Sequence, residues 1–195
     1  MNVASFANLD LIAIETESVA MGRAMFRAMK KKDCVTLDFG ANSTDMCIMT
    51  NGALVFSQSI PIGSDSLTQA IVNKFNFDYN RAEEFKRAYG LVPNALEGKI
   101  YSALLPIVES IMIEVRRGIE FYKNKTMSPA PMEYLLNGDG ALLPGLTEYV
   151  SKSLGVSAQI ANPWLNISID NRFKNIISKT GGSYSIAVGL ALKDE

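Results

Sequence analysis

The chain contains no histidine. That absence removes the imidazole ligands of most zinc sites and the catalytic loop of protein kinases. Cysteine is nearly as scarce. Cys34 and Cys47 are the two present, and both sit in apolar, strand-like surroundings, which reads as buried reduced thiols and makes a zinc site improbable. An excess of one charge is missing too: 19 Lys and Arg stand against 20 Asp and Glu, a net charge of −1. No basic field therefore exists to drive binding to nucleic acid or to a membrane surface. No apolar run reaches membrane-spanning length, and the N-terminus lacks the basic and apolar regions of a secretory signal, so a cytoplasmic protein is expected. What is present is globular in character: 195 residues, 48% hydrophobic and 20% charged, room for one domain or two small lobes with a real core.

One stretch organises the rest. Val35, Leu37 and Phe39 alternate with Thr36 and Asp38, the period of a strand. Gly40, Ala41, Asn42, Ser43 and Thr44 follow, small or polar residues that turn the chain. A second apolar run leads to Asn51-Gly52, the strongest short hairpin signal. Gly40 lets backbone N–H groups approach an anion, Ser43 and Thr44 carry hydroxyl donors, and Asp38 at the mouth is suited to a hydrated Mg²⁺. The same residues also make an ordinary tight hairpin with a polar tip, and the window alone leaves both readings open. Asp38-Phe39-Gly40 spells the magnesium tripeptide of protein kinases, but no Gly-rich loop and no Val-Ala-Ile-Lys strand accompany it.

Around this hairpin the pattern alternates strands and helices. Leu9 to Glu15 reads as a buried strand, followed by a helix on which Met21, Met25 and Met29 form a core stripe ending in Lys30-Lys31-Lys32. Ala53 to Ile60 gives a further strand. A helix opens at Gly63-Ser64-Asp65-Ser66, with Leu67, Ile71 and Phe75 on one face, and another runs from Tyr79 to Tyr89, closed by Gly90. The latter carries Arg81, Glu83, Glu84, Lys86 and Arg87 on a polar face, which by itself reads as solvated ion pairs. Residues 97–123 form a long amphipathic segment that Pro106 is expected to kink or to start, and 123–131 a surface loop. Met132 to Leu136 reads as a short strand that runs into Asn137-Gly138-Asp139-Gly140. Glycines after a strand and ahead of a helix leave backbone free to lie against a flat ligand or a phosphate, although the Gly-x-Gly-x-x-Gly dinucleotide spacing is absent. A helix at 146–154, a strand at 156–160 and a helix opened by Gly181-Gly182-Ser183-Tyr184, with a small face of Ala187, Gly189 and Ala191, complete the chain.

Three Gly-rich turns in this order resemble the actin-like ATPase superfamily. Asp38 to Thr44 is similar to its second phosphate loop, Leu135 to Leu146 to its adenosine loop, and Gly181 to Leu192 to its last connecting helix. Gly138 lies 100 residues beyond Asp38, the separation that fits the second phosphate loop rather than the first. Within the superfamily the chain most resembles the PilM family of type IV pilus assembly proteins, relatives of the division protein FtsA. The strings that carry this are Ala13–Ala20, Pro61–Thr68, Ala82–Lys86, Glu114–Tyr122 and Tyr184–Leu192.

The resemblance implies an α/β fold, an actin-like (ribonuclease H-like) lobe with a mixed sheet carrying helices on its faces plus a small mainly helical subdomain. Residues 1–63 and 131–195 would form the nucleotide-binding lobe and 64–130 the helical insert, with the family's N-terminal lobe absent. It implies ATP and Mg²⁺ as cofactors. Asp38 would hold the metal through water, and the backbone from Gly40 through Ala41, Asn42 and Ser43 to Thr44 would meet the phosphates. Glu83 and Lys86 would reach the ribose or base, Gly138 and Gly140 would flank the adenine, and Glu17 would orient an attacking water. Asp139 stands where a third glycine is usual, and its charge opposes an anionic ligand. No Asp-x-Gly first phosphate hairpin precedes Asp38, so at most a weak ATPase is expected. The expected function is an ATP-binding scaffold of type IV pilus assembly, peripheral to the inner membrane through partners such as a PilN-like protein and other assembly proteins, without direct membrane insertion. The part of the family that helps bind PilN is expected to be missing, and Lys193-Asp194-Glu195 ends the chain without the amphipathic membrane helix of FtsA-like proteins. The alternatives are an active ATPase or sugar-kinase-like phosphotransferase, and a folded remnant that binds no nucleotide.

Overall fold

The computed structural model describes residues 2–173, 177 and 181–193; Asp194 and Glu195 of the expected C-terminal boundary lie outside them. Five strands form one mixed sheet in the order β3-β2-β1-β4-β5. They are β1 (Cys34–Phe39), β2 (Thr44–Thr50), β3 (Ala53–Ile60), β4 (Glu133–Asn137) and β5 (Ser157–Ile160). β1, β2 and β3 pair antiparallel through the two predicted turns, whereas β4 lies parallel to β1 and β5 parallel to β4. The helices are α1 (Asn2–Phe6), α2 (Glu17–Ala28), α3 (Ser64–Phe75), α4 (Tyr79–Tyr89), α5 (Lys99–Thr126), α6 (Leu146–Leu154) and α7 (Ser185–Ala191).

The alternation along β1 decides what covers each face. Val35, Leu37 and Phe39 point into the larger core, shared with Ile71 of α3, Leu104 and Met112 of α5 and Val150 of α6. Cys34 faces the opposite way, into a smaller core with Cys47, Leu135, Met21 and Met25 of α2 and Val188 of α7. The methionine stripe is therefore core, as its spacing suggests, with Met21 and Met25 fully enclosed. Both thiols are buried and free, and burial pushes the Cys34 thiol up to about 12. α2 and α7 cross closely because Gly189 has no side chain: a Cβ there would lie 1.8 Å from the Ala20 carbonyl oxygen. Arg23 ties the same crossing, donating to the Gly189 carbonyl at 2.6 Å.

Two sequence expectations are corrected. Leu9 to Glu15 forms no strand, and its apolar side chains face outward, with Ile12 84% and Ile14 75% exposed. Alternation describes a face, but a strand exists only by pairing, and neither β3 nor β5 takes this segment as a neighbour. Its end is held instead by Glu15, which accepts two hydrogen bonds from the Arg23 guanidinium at 2.8 and 2.7 Å. The second correction is the extent of α5. It starts at Lys99, runs through Pro106 and continues to Thr126, so part of the expected loop is helix. Lys123 and Lys125 lie in its last turn, where cations offset the unpaired carbonyls.

Candidate functional site

Parallel pairing of β1 with β4 sets Asp38 opposite Asn137. The turns that follow these two strands therefore emerge at the same edge of the sheet, the carboxyl-end position where open α/β sheets take ligands. The first turn is closed by the Gly40 N–H donating to the Ser43 carbonyl at 2.9 Å. It is pinned to the start of α3, because the Ser64 and Asp65 N–H groups donate to the Gly40 and Ala41 carbonyls, each at 2.9 Å. Ala41 and Asn42 are exposed at its tip. Gly63 completes the seat: a Cβ there would lie 2.3 Å from the Ala41 oxygen.

The second turn lies directly on the first. Gly138 has φ +76°, and a Cβ at this position would meet Asp38 Oδ1 at 2.4 Å and the Phe39 carbonyl oxygen at 2.6 Å. A Cβ on Gly140 would lie 2.7 Å from that same oxygen. The two turns can share an edge only because these positions lack side chains. Asp139 between them accepts a hydrogen bond from Ser183 Oγ, and the buried Ser185 Oγ donates to Asn137 Oδ1 at 2.6 Å, which fastens the chain ahead of α7 beside the second turn.

Between the turns and α4 runs a cleft with two adjoining parts. One, about 560 Å³, is lined by Asp38, Gly40, Ala41, Asp65, Tyr79 and Gly138 among others. The other, about 380 Å³, adds the apolar walls Leu67, Leu142 and Leu143. Glu83, Lys86, Arg87, Asp139, Gly140 and Ser183 border both. Of the residues singled out from the sequence, Asp38, Gly40, Ala41, Glu83, Lys86, Gly138, Asp139 and Gly140 are brought together here. Asn42, Ser43 and Thr44 are not part of the lining. The Ser43 hydroxyl donates to Asp45 at 2.9 Å, and Thr44 is fully buried with its hydroxyl on the Ile62 carbonyl at 2.8 Å. Glu17, the first residue of α2, also stays outside the lining, near enough for its charge to act on Asp38. Sequence reading missed Ser64, Asp65, Tyr79 and Ser183 as wall residues. The Gly63-Ser64-Asp65-Ser66 signal marks a helix start without saying what that start faces.

Two carboxylates in the cleft are displaced in opposite directions. Burial, then the charges of Asp45, Glu17 and Asp139, push the Asp38 carboxyl up to about 6. Burial acts the same way on Glu83, but hydrogen bonds from Lys86, Thr68 and Arg87 outweigh it and hold that carboxyl down at about 2. Lys86 is only 4% exposed. Its ammonium meets Glu83 Oε2 at 2.6 Å, Ser64 Oγ at 2.6 Å, Thr68 Oγ1 at 2.8 Å and the Ser64 carbonyl at 3.2 Å. An ammonium has three hydrogens to give, so Lys86 here joins α3 to α4 rather than offering a free donor.

The seat of the first turn makes a local prediction. Gly63→Ala is expected to push the Ala41 carbonyl outward and to destabilise the fold by about 1 to 3 kcal/mol. The shift would show as changed amide resonances at Gly40 to Ser43, and urea denaturation would measure the cost.

The sequence pattern of the family described as type IV pilus assembly protein PilM matches residues 1–195. A solved PilM-PilN type IV pilus biogenesis complex contains a chain similar to this one, with 27% identity and a TM-score of 0.81, covering 96% of this chain and 54% of that one. MreB5 of Spiroplasma citri, solved bound to ADP, shares the fold at 18% identity and a TM-score of 0.70, over 98% of this chain and 62% of its own. The cell division protein FtsA of Bacillus subtilis is 23% identical over 176 residues, 80% of this chain and 40% of FtsA. In each case the chain spans less than two thirds of the relative's own length. Among the described residues no helix is long and apolar enough to cross a membrane. Since the span matched by the family pattern is the whole chain, with the hairpin, both turns of the cleft and the helices that frame them inside it, the chain belongs to the PilM family of type IV pilus assembly proteins.

Proposed function

We propose that the cleft binds a magnesium–adenine nucleotide and that the protein serves as a nucleotide-dependent scaffold in type IV pilus assembly. The observation that carries this reading is the contact between the two glycine turns, Gly138 and Gly140 against Asp38 and Phe39, at the mouth of a single cleft. Its polar part, with the exposed tip of the first turn, suits phosphates. Its apolar part, between Leu67, Leu142 and Leu143, suits a flat base.

The charges support a metal-bound nucleotide rather than a bare anion. Asp38, Asp65, Glu83 and Asp139 line the cleft, against Lys86 and Arg87, so a free polyphosphate meets repulsion. Among the described residues no three of His, Cys, Asp and Glu gather into a metal site. A cation at Asp38 would therefore take its remaining ligands from water and from the phosphates that bring it. When bound, magnesium would neutralise phosphate charge; Asp38 would orient it, and the Gly40–Ala41 backbone would fix the chain beside it.

MreB5, of the same fold, is solved with ADP and with AMPPNP, which favours an adenine nucleotide over other anions. The PilM-PilN complex supports a PilN-like partner for the whole protein, and through it a place at the cytoplasmic face of the inner membrane. Titration calorimetry is expected to give one-site binding of Mg-ATP and Mg-ADP to this chain, with Asp38→Ala losing the magnesium dependence. Absence of binding overturns the reading, and comparable magnesium-dependent binding by Asp38→Ala removes the hairpin as the metal site. Glu17 lies near enough for its charge to act on Asp38, which favours a second reading, hydrolysis. Steady-state phosphate release that disappears in Glu17→Ala supports an enzyme, whereas binding without release supports a scaffold.

A further inference from the structure

α4 presents a second surface away from the cleft. Phe75, Phe77, Phe85 and Tyr89 pack in series as tilted rings, with centroids 5.6, 5.0 and 5.5 Å apart. Beside them opens an apolar groove of about 360 Å³, walled by Phe75, Phe77, Phe85, Leu96 and Ile100. Arg81 stands at its mouth, with the guanidinium 4.5 Å from the Phe77 centroid and 5.8 Å from that of Phe85.

Three features of this groove go beyond ordinary packing. First, the Arg81 guanidinium has no carboxylate partner among the described residues, and its contacts are the two ring faces. Its position in the first turn of α4 is also the wrong end of a helix for a cation. Second, the other charges at the rim are already matched, since Lys99 pairs with Glu97 at 2.7 Å. The excess charge of the groove is therefore one held, oriented cation. Third, Leu96 and Glu97 both adopt left-handed backbone, φ 47° and 55°, ahead of Gly98 at 71°. Such conformations are disfavoured for residues with a Cβ, and observed strain of this kind points towards function. Here it holds Leu96, 42% exposed, as the outer wall of the groove.

We propose that this groove docks a segment of a partner protein that presents an apolar anchor side chain and, within one helical turn of it, a carboxylate. The anchor fills the space between the phenylalanine rings and Leu96, and the carboxylate meets the Arg81 guanidinium. Cation–ring stacking fixes that guanidinium before binding, so little side-chain freedom is lost on docking. The volume suits one or two side chains, which argues for a short linear segment rather than a broad interface. The proposal stands apart from the nucleotide reading, because Arg81 and Phe85 lie outside the cleft that Glu83, Lys86 and Arg87 border.

Fluorescence anisotropy with labelled synthetic peptides tests it. One peptide pairs leucine and phenylalanine with aspartate and glutamate; a second carries lysine in place of the acids; a third keeps the acids and replaces the apolar residues with serine. The first is expected to bind in the micromolar range and the other two at least about tenfold more weakly. Arg81→Glu is expected to weaken the acidic peptide by about tenfold or more and to improve the lysine peptide. Amide shifts on titration are expected to concentrate between Phe75 and Ile100. Thermal melting of Arg81→Glu, an exposed position, checks that the variant is folded. No binding by the acidic peptide, equal binding by all three, or indifference to Arg81→Glu in a folded variant overturns the proposal.

Discussion

Glu83→Ala is expected to lower the stability of the protein by about 3 to 5 kcal/mol, the cost of breaking a buried ion pair from one side. Lys86 is the reason. Its ammonium sits between α3 and α4, and Glu83 supplies the charge that balances it at 2.6 Å. Without Glu83, two hydroxyls and one carbonyl remain around an enclosed cation. Arg87 adds little to the loss, because its side chain is 75% exposed and its pairing with Glu83 is screened by water. Glu83→Gln keeps an acceptor for Lys86 and Thr68 and is expected to lose about half as much. The double variant Glu83→Leu with Lys86→Met removes both charges and should recover most of the stability, since buried pairs replaced by apolar residues of similar volume are often neutral.

The pH dependence of the same pair has a definite sign. The Glu83 carboxyl is held below its unfolded value, at about 2, so its contribution is complete above the usual glutamate range near 4.5 and fades as pH falls towards 2. Urea denaturation of wild type and Glu83→Ala between pH 3 and 7 measures this, with the difference between the two proteins expected to shrink by about half towards the acid end. A constant difference across that range, or a double variant no better than Glu83→Ala, contradicts the account of Lys86 as a balanced buried charge.

This network also shows where the sequence stops being informative. Glu83, Lys86 and Arg87 are visible as i,i+3 and i,i+4 pairs on one helix, and their local pairing is found in the structure. That Ser64 and Thr68 enclose Lys86 depends on how α3 packs on α4, which no local pattern encodes. The hairpin from Cys34 to Ile60 was legible almost to the residue, because alternation, Gly40 and Asn51-Gly52 each act within a few positions of one another. The meeting of Gly138 with Asp38 was legible only through family resemblance. It arises from parallel pairing of β1 and β4, a contact across 100 residues of chain. Ser183 on Asp139 is of the same long-range kind. Leu9 to Glu15 fails for the converse reason: the apolar pattern is present, but the structure supplies no neighbouring strand, so propensity has nothing to pair with. α5 overran its expected end because Lys123 and Lys125 favour a helix C-terminus as readily as a loop.

Asp38→Asn should make the protein more stable at neutral pH, by about 2 to 3 kcal/mol at the upper bound set by solvent access. The Asp38 carboxyl is pushed up to about 6 by burial and by the charges of Asp45, Glu17 and Asp139. A native state that holds its proton more tightly than the unfolded chain loses stability as that proton leaves. The penalty is therefore absent below the ordinary aspartate range near 4, grows between there and pH 6, and is complete above it. Asparagine carries no charge at any of these values and has nearly the same shape, so it keeps clear of Gly138. Urea denaturation at intervals from pH 4 to 8, without added metal or nucleotide, is expected to show the two proteins equal at the acid end and the variant ahead at the alkaline end. The same carboxylate is the group assigned to magnesium in the proposed function, and a bound cation would remove the repulsion that destabilises it. Mg-ADP is accordingly expected to raise the melting temperature of the wild type far more than that of Asp38→Asn, narrowing or reversing the gap between them. If Asp38→Asn is less stable than wild type at pH 8, the ionised carboxylate is already compensated within the fold. The reason for expecting a cation beside it then disappears.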